Sequence, residues 1–174
     1  MKYPAGIKIK NVKIISYGNR GMCLEDDINL SNQYYLDNNI AIIHKKPTPI
    51  QVTKVDFKNK NGSIIKEAFF KTPSTTDYNG LYKGHYIDFE AKETKSKTAF
   101  PLCNIHEHQI KHIKGILEHN GIAFLIIKFS ILQETYLIKG QDFIDFIKMN
   151  DSKSVPLTYI KKVGFKIEEK YNPR

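Results

Sequence analysis

The sequence predicts a mixed α/β domain: a central mixed β-sheet flanked by helices, with a protruding lysine-rich β-hairpin. Three observations predict it. Helical and strand-like segments follow one another in the order helix, strand, hairpin, strand pair, helix, strand, strand, helix. The run "GIAFLIIKF" is apolar at almost every position, as a strand covered on both faces should be. Residues 45 to 71 carry seven lysines against Asp56 and Glu67, around an Asn61-Gly62 turn signal.

A chain of 174 residues fits one domain with enough core to fold without staples. Its 41% apolar and 26% charged content is ordinary for a soluble globular protein. Cys23 and Cys103 are too few for a disulfide framework and are not spaced as a metal pair. No apolar run reaches the length of a bilayer span, and "MKYPAGIKIKNVK" lacks a signal-peptide core. A cytoplasmic location and no membrane partner are therefore expected. The formal charge of +9 attracts polyanions, nucleic acid foremost.

Residues 1 to 18 are basic and irregular and read as a mobile arm, with residues 19 to 174 as a single domain. A helix is expected in "NRGMCLEDDINLSNQYYLDNN", where Leu24, Ile28 and Tyr35 form an apolar stripe and Asn38-Asn39 suits the end. "IAIIHK" reads as a short buried strand. Pro47 and Pro49 exclude a helix at the start of the next segment. "IQVTKVDF" and "SIIKEAFF" then flank "KNKNG" as a two-stranded insertion within residues 45 to 71.

"LYKGHY" suggests a tight turn between two strands, with Gly84 in it. The loop "KSKTAFPLCN" leads to a helix over about "IHEHQIKHIKGILEHN", with Ile110, Ile113 and Leu117 buried and Asn120-Gly121 closing it. "GIAFLIIKF" and "TYLIKG" are strands, "QDFIDFIKMN" a short amphipathic helix, and "YIKKVGFKIEEKYNPR" strand-like without a firm assignment.

The stretch "YIDFEAKET" holds the candidate chemistry. On a strand, Asp88, Glu90 and Lys92 share one face while Ile87, Phe89 and Ala91 share the other. Phosphodiester hydrolysis needs carboxylates to hold a divalent ion and a cation to meet charge developing in the transition state. Asp77, across the "LYKGHY" turn, completes a candidate Asp77…Glu90-Ala91-Lys92 nuclease site. The alternative is an edge strand with a wet outer face. Asp88 either supports the site or is a solvated or structural carboxylate balancing Lys83 or Lys92. The histidines around His108 and His112 lack the spacing of a zinc motif.

The blocks "NRGMCLEDDINLSNQYY", "KKPTPIQV", "FFKTPSTTDYNGLYKGHYIDFEAKET" and "FPLCNIHEHQIKHI" resemble the RecU family of Holliday junction resolvases, from about Asn19 to about Phe129. The resemblance implies a restriction-endonuclease-like fold and a homodimeric, Mg²⁺-dependent endonuclease that cuts opposed strands of a four-way DNA junction. It implies Thr75, Asp77, Glu90 and Gln109 as metal ligands and Lys92 as the group that stabilises the transition state. It implies also a stalk directed at the junction centre, and recombination proteins as further partners. Arg20, Lys45, Lys46, Lys54, Lys58, Lys60 and Lys66 are then the expected DNA contacts. Because Arg20 and Arg174 are the only arginines, the stalk depends on lysine, which lacks the bidentate fork of arginine. Glu25 is expected either to add a carboxylate near the site or merely to favour a helix N-terminus. A sequence-specific duplex nuclease and a non-catalytic junction- or RNA-binding module are the competing readings.

Overall fold

The structure, a computed structural model, describes residues 23–57, 62–71 and 75–168. The expected N-terminal arm, Arg20, Lys58 and Lys60 lie outside them. Strands β4 (Tyr78–Tyr82) and β5 (His85–Thr94) form the hairpin expected from "LYKGHY", with Tyr82 facing His85. Its two loop residues, Lys83 and Gly84, have φ of 46° and 85°. Positive φ at both positions matches the twist of the flanking strands and makes the tightest hairpin turn.

Strand β1 (Ile42–Lys45) adds antiparallel to β4. Gly80 permits that approach, since a Cβ there would meet the Ile42 carbonyl oxygen at 2.1 Å. On the other side of β5, β7 (Ile122–Phe129) runs parallel, reached through helix α2 (Glu107–Glu118). β8 (Glu134–Lys139) and β10 (Phe165–Ile167) follow antiparallel, giving the order β1-β4-β5-β7-β8-β10. The sheet is mixed, as expected, and β5 lies in its interior. Two smaller sheets stand apart: β2 (Ile50–Asp56) pairs with β3 (Ile64–Phe70), and β6 (Ala99–Pro101) with β9 (Ser154–Pro156).

Helix α1 (Leu24–Asp37) covers one face, packing Leu24 and Ile28 on Tyr78, Ile87, Phe89, Ala91 and Ile126. Tyr78, Phe89 and Phe124 stack across three neighbouring strands, with ring centroids 4.8 and 4.6 Å apart. Against the other face, Ile113 of α2, Phe143 of α3 (Gly140–Met149) and Ile160 of α4 (Leu157–Val163) cluster with Leu125, Ile127 and Ile138. β7 is thus apolar on both sides because helices cover both.

Four expectations need correction. β1 is an edge strand rather than a buried one, with Ile42 49% exposed. Tyr35 does not join the buried stripe of α1; it is 37% exposed, and Asn32 takes the third buried position. The wet-edge alternative for "YIDFEAKET" fails because both faces of β5 are buried from Ile87 to Ala91. The chain from Ser154 to Ile167 forms β9, α4 and β10. In that last stretch the β-branched content of "SVPLTYIKKV" disguises a two-turn helix, and tertiary packing of Leu157 and Ile160 decides it.

Candidate active site

The β4–β5 ladder pairs Tyr78 with Phe89, so one further step sets Asp77 opposite Glu90. Directly opposed residues of antiparallel strands point to the same face. Two residues along β5, Lys92 shares that face. Its ammonium touches Glu90 Oε1 and lies 3.8 Å from Asp77 Oδ2. Two carboxylates and one ammonium therefore converge, Glu90 fully buried and the other two half-buried.

Burial, and next the contact with Asp77, push the Glu90 carboxyl up from 4.5 to about 7, against the opposing pull of Lys92. Neither Glu90 oxygen accepts an aligned hydrogen bond. The Lys92 ammonium offsets part of the cost of burying this carboxylate, and the desolvation outweighs it. A divalent ion between Glu90 and Asp77 would offset the remainder, and hard carboxylate oxygens are the donors that Mg²⁺ prefers. Among the described residues no three His, Cys, Asp or Glu side chains cluster as a metal site, so further ligands would be neutral oxygens or water.

Thr75 and Gln109 offer such oxygens. Thr75 is half-buried, and its hydroxyl donates to the Thr76 carbonyl at 3.4 Å. Gln109 is buried in the first turn of α2, where its Oε1 accepts the His106 N–H at 2.9 Å. An amide oxygen keeps a second lone pair for another partner.

Asp88 differs from its expected surroundings. It is fully buried rather than solvated, and its partner is Lys46, not Lys83 or Lys92. Lys46 Nζ donates to Asp88 Oδ2 at 2.7 Å, Tyr86 donates to the same oxygen at 2.8 Å, and the Thr76 hydroxyl donates to Oδ1. Sequence reasoning did not find this group, because Lys46 is 42 residues from Asp88 and Thr76 is 12 away, with no motif linking them. His112 turns toward it, with Nε2 3.3 Å from Oδ2, while the rings of His106 and His108 stack at 5.4 Å.

The remaining candidates spread more widely. Glu25 lies in the acidic first turn of α1, and its carboxylate pairs with Lys45, raising the lysine's pKa through that hydrogen bond. Lys54 on β2 is exposed opposite Glu67 of β3, and Lys66 is exposed with its ammonium 2.7 Å from Asp56. Large apolar side chains on this hairpin are also exposed, Phe69 at 59% and Phe70 at 83%.

The family described as "Recombination protein U" matches residues 19–174, which carries the likeness past Phe129 through the rest of the chain. A protein of Bacillus cereus (strain B4264) named "Holliday junction resolvase RecU" is 52% identical over 166 residues, covering 94% of this chain and 83% of the relative. One of the same name from Bacillus cytotoxicus is 53% identical over 162 residues, 91% of this chain and 81% of the relative. Another from a Geobacillus species is 52% identical over the same shares. With half the residues shared over nearly its whole length, and with the family's span including every strand of its central sheet, this chain belongs to the RecU family.

Proposed function

We propose that the protein resolves four-way DNA junctions by Mg²⁺-dependent phosphodiester hydrolysis, acting as a homodimer in recombination and repair in the cytoplasm. One observation carries the reading: Lys92 Nζ touches Glu90 and lies 3.8 Å from Asp77, so an acid pair suited to a cation and a phosphate-seeking ammonium converge where β5 meets the start of β4. The names of the similar proteins support the substrate.

Asp77 and Glu90 would hold the divalent ion, and Thr75 and Gln109 would complete its surroundings with neutral oxygens. Bound there, the ion would supply charge neutralisation at the phosphate and a lowered pKa for a water molecule. Lys92 keeps its ammonium beside the scissile phosphate and stabilises the negative charge that develops on it. The rigid β4–β5 hairpin holds these groups in place, so little reorganisation is required when the strand arrives.

Affinity comes from elsewhere. The net charge of +9 and the exposed lysines of β2 and β3 attract phosphates, an interaction that weakens with salt and carries little base information. A two-stranded hairpin standing apart from the main sheet supports a stalk that meets the open centre of a junction. Dimerisation is supported by edge strand β1 and by exposed Leu30, Tyr34 and Leu36 on α1, apolar groups that a second copy would cover. No helix among the described residues is long and apolar enough to cross a membrane.

The test incubates pure protein with a labelled four-way junction and, separately, with a duplex of the same sequence, each with and without Mg²⁺. Symmetric nicks in the junction alone, dependent on Mg²⁺, are expected. Equal cutting of the duplex indicates a restriction-like nuclease, and binding without product indicates a binding module.

A further inference from the structure

Asp88 plays no part in the chemistry just described, yet it is bound more fully than any of the groups that do. A carboxylate withdrawn from water costs several kcal/mol unless its oxygens are bonded, and both of these are. Lys46 Nζ reaches Asp88 Oδ2 at 2.7 Å and Thr76 Oγ1 at 3.0 Å, while the Thr76 hydroxyl donates to Asp88 Oδ1. Lysine, threonine and aspartate thus close a ring of contacts in which both carboxylate oxygens of Asp88 accept hydrogen bonds. Only 18% of the Lys46 side chain is exposed, so this ammonium is committed inward rather than to DNA.

Each member of the ring adjoins one of the groups assigned to the ion. Thr76 lies between Thr75 and Asp77, and its side chain is drawn inward to Asp88. Lys46 is tied twice, because its backbone N–H also donates to the Asp77 carbonyl at 2.7 Å. Asp88 precedes Glu90 by two residues on β5 and shares its face. His112, whose Nε2 lies 3.3 Å from Asp88, follows Gln109 by three residues, on the same side of α2. Three separate segments of the chain therefore meet at one buried carboxylate.

We propose that Asp88 is a positioning residue for the divalent-ion site: together with Lys46 and Thr76 it fixes the 75–77 segment against β5, so that Asp77 faces Glu90 at the separation an ion needs. The inference rests on the reading of Asp77 and Glu90 as the ion's ligands. A purely structural ion pair would stabilise the fold equally well but would leave ion affinity untouched.

Calorimetric titration of Mg²⁺ into the DNA-free protein separates these cases. Wild type, Glu90→Gln, Asp88→Asn and Thr76→Val are compared at pH 8, each with its unfolding temperature and circular dichroism recorded. Thr76→Val keeps the side-chain volume and removes only the hydroxyl, so it decides the matter where Asp88→Asn fails to fold. The expected result is that Glu90→Gln abolishes the binding isotherm, while Asp88→Asn and Thr76→Val weaken it about tenfold, as loss of a partner behind a metal ligand does. Folded Asp88→Asn or Thr76→Val protein with wild-type Mg²⁺ affinity overturns the positioning role while leaving the ion site intact. A wild-type isotherm that Glu90→Gln does not change overturns the ion site itself, and the inference with it.

Discussion

Strand β5 and the β2–β3 hairpin are written in nearly the same alphabet. "HYIDFEAKET" and "IIKEAFF" both mix aliphatic, aromatic, acidic and lysine residues, yet the two regions behave as opposites. β5 is paired on both edges and covered on both faces, so Asp88 and Glu90 have no access to water. Among the described residues β2 and β3 pair only with each other, and every residue of β3 is exposed. A charged side chain acquires a fixed position and a shifted pKa when neighbours surround it on all sides; the same side chain on an isolated ribbon supplies charge and reach. We read the first as the place of chemistry and the second as the place of contact.

The largest effect that sharpens this contrast is on rate. Lys92→Ala should lower single-turnover cleavage of a four-way junction by about 10²- to 10³-fold, the usual loss when a group stabilising transition-state charge is removed. Junction affinity measured by gel shift in EDTA should remain at the wild-type level. A rate within about threefold of wild type would remove Lys92 from the mechanism.

Stability separates the regions next. Phe89 is 2% exposed and stacked between Tyr78 and Phe124, so Phe89→Ala should cost about 3–5 kcal/mol in urea unfolding. Phe70, 83% exposed, should cost no more than about 0.5 kcal/mol on the same change. Comparable losses at the two positions would mean that a covering surface for β3 exists within the folded monomer.

The Glu90 carboxyl gives a pH signature of nearly the same size. With its pKa raised from 4.5 to about 7, chiefly by burial, the native state retains a proton between those values that the unfolded chain has released. Metal-free stability should therefore be greatest below pH 4.5 as far as this group is concerned, fall by about 3 kcal/mol as pH rises to 7, and level off above. Glu90→Gln should flatten that decline, and Mg²⁺ affinity in the wild type should drop as pH falls below 7, because the ion must displace the proton. A stability profile identical in wild type and Glu90→Gln would contradict the burial cost assigned to this residue.

The smallest effect is electrostatic. Lys54→Ala should weaken junction binding severalfold, lower the slope of log affinity against log salt by about one, and leave the unfolding temperature unchanged.

Local features were legible where local chemistry decides them. The Lys83-Gly84 turn fixes the hairpin register, and that register brings Asp77 beside Glu90 from a separation of thirteen residues. The i, i+2 spacing of Glu90 and Lys92 likewise states that they share a face. What escaped the sequence depends on contacts between distant segments. The Lys46–Thr76–Asp88 ring draws on three elements, so Lys46 looked like another surface lysine. α4 is short and β-branched, and only the burial of Leu157 and Ile160 makes it helical. Ile42 resembles a core residue in sequence and is exposed because, among the described residues, no strand pairs with the far side of β1.

The most direct test locates the ion. Crystals of the protein grown with Mn²⁺, whose anomalous signal identifies it, should show a peak within about 2.2 Å of carboxylate oxygens from both Asp77 and Glu90. The same peak should be missing from Glu90→Gln. A strong Mn²⁺ peak at another place, or none between these two residues at a concentration that supports cleavage, would contradict the account.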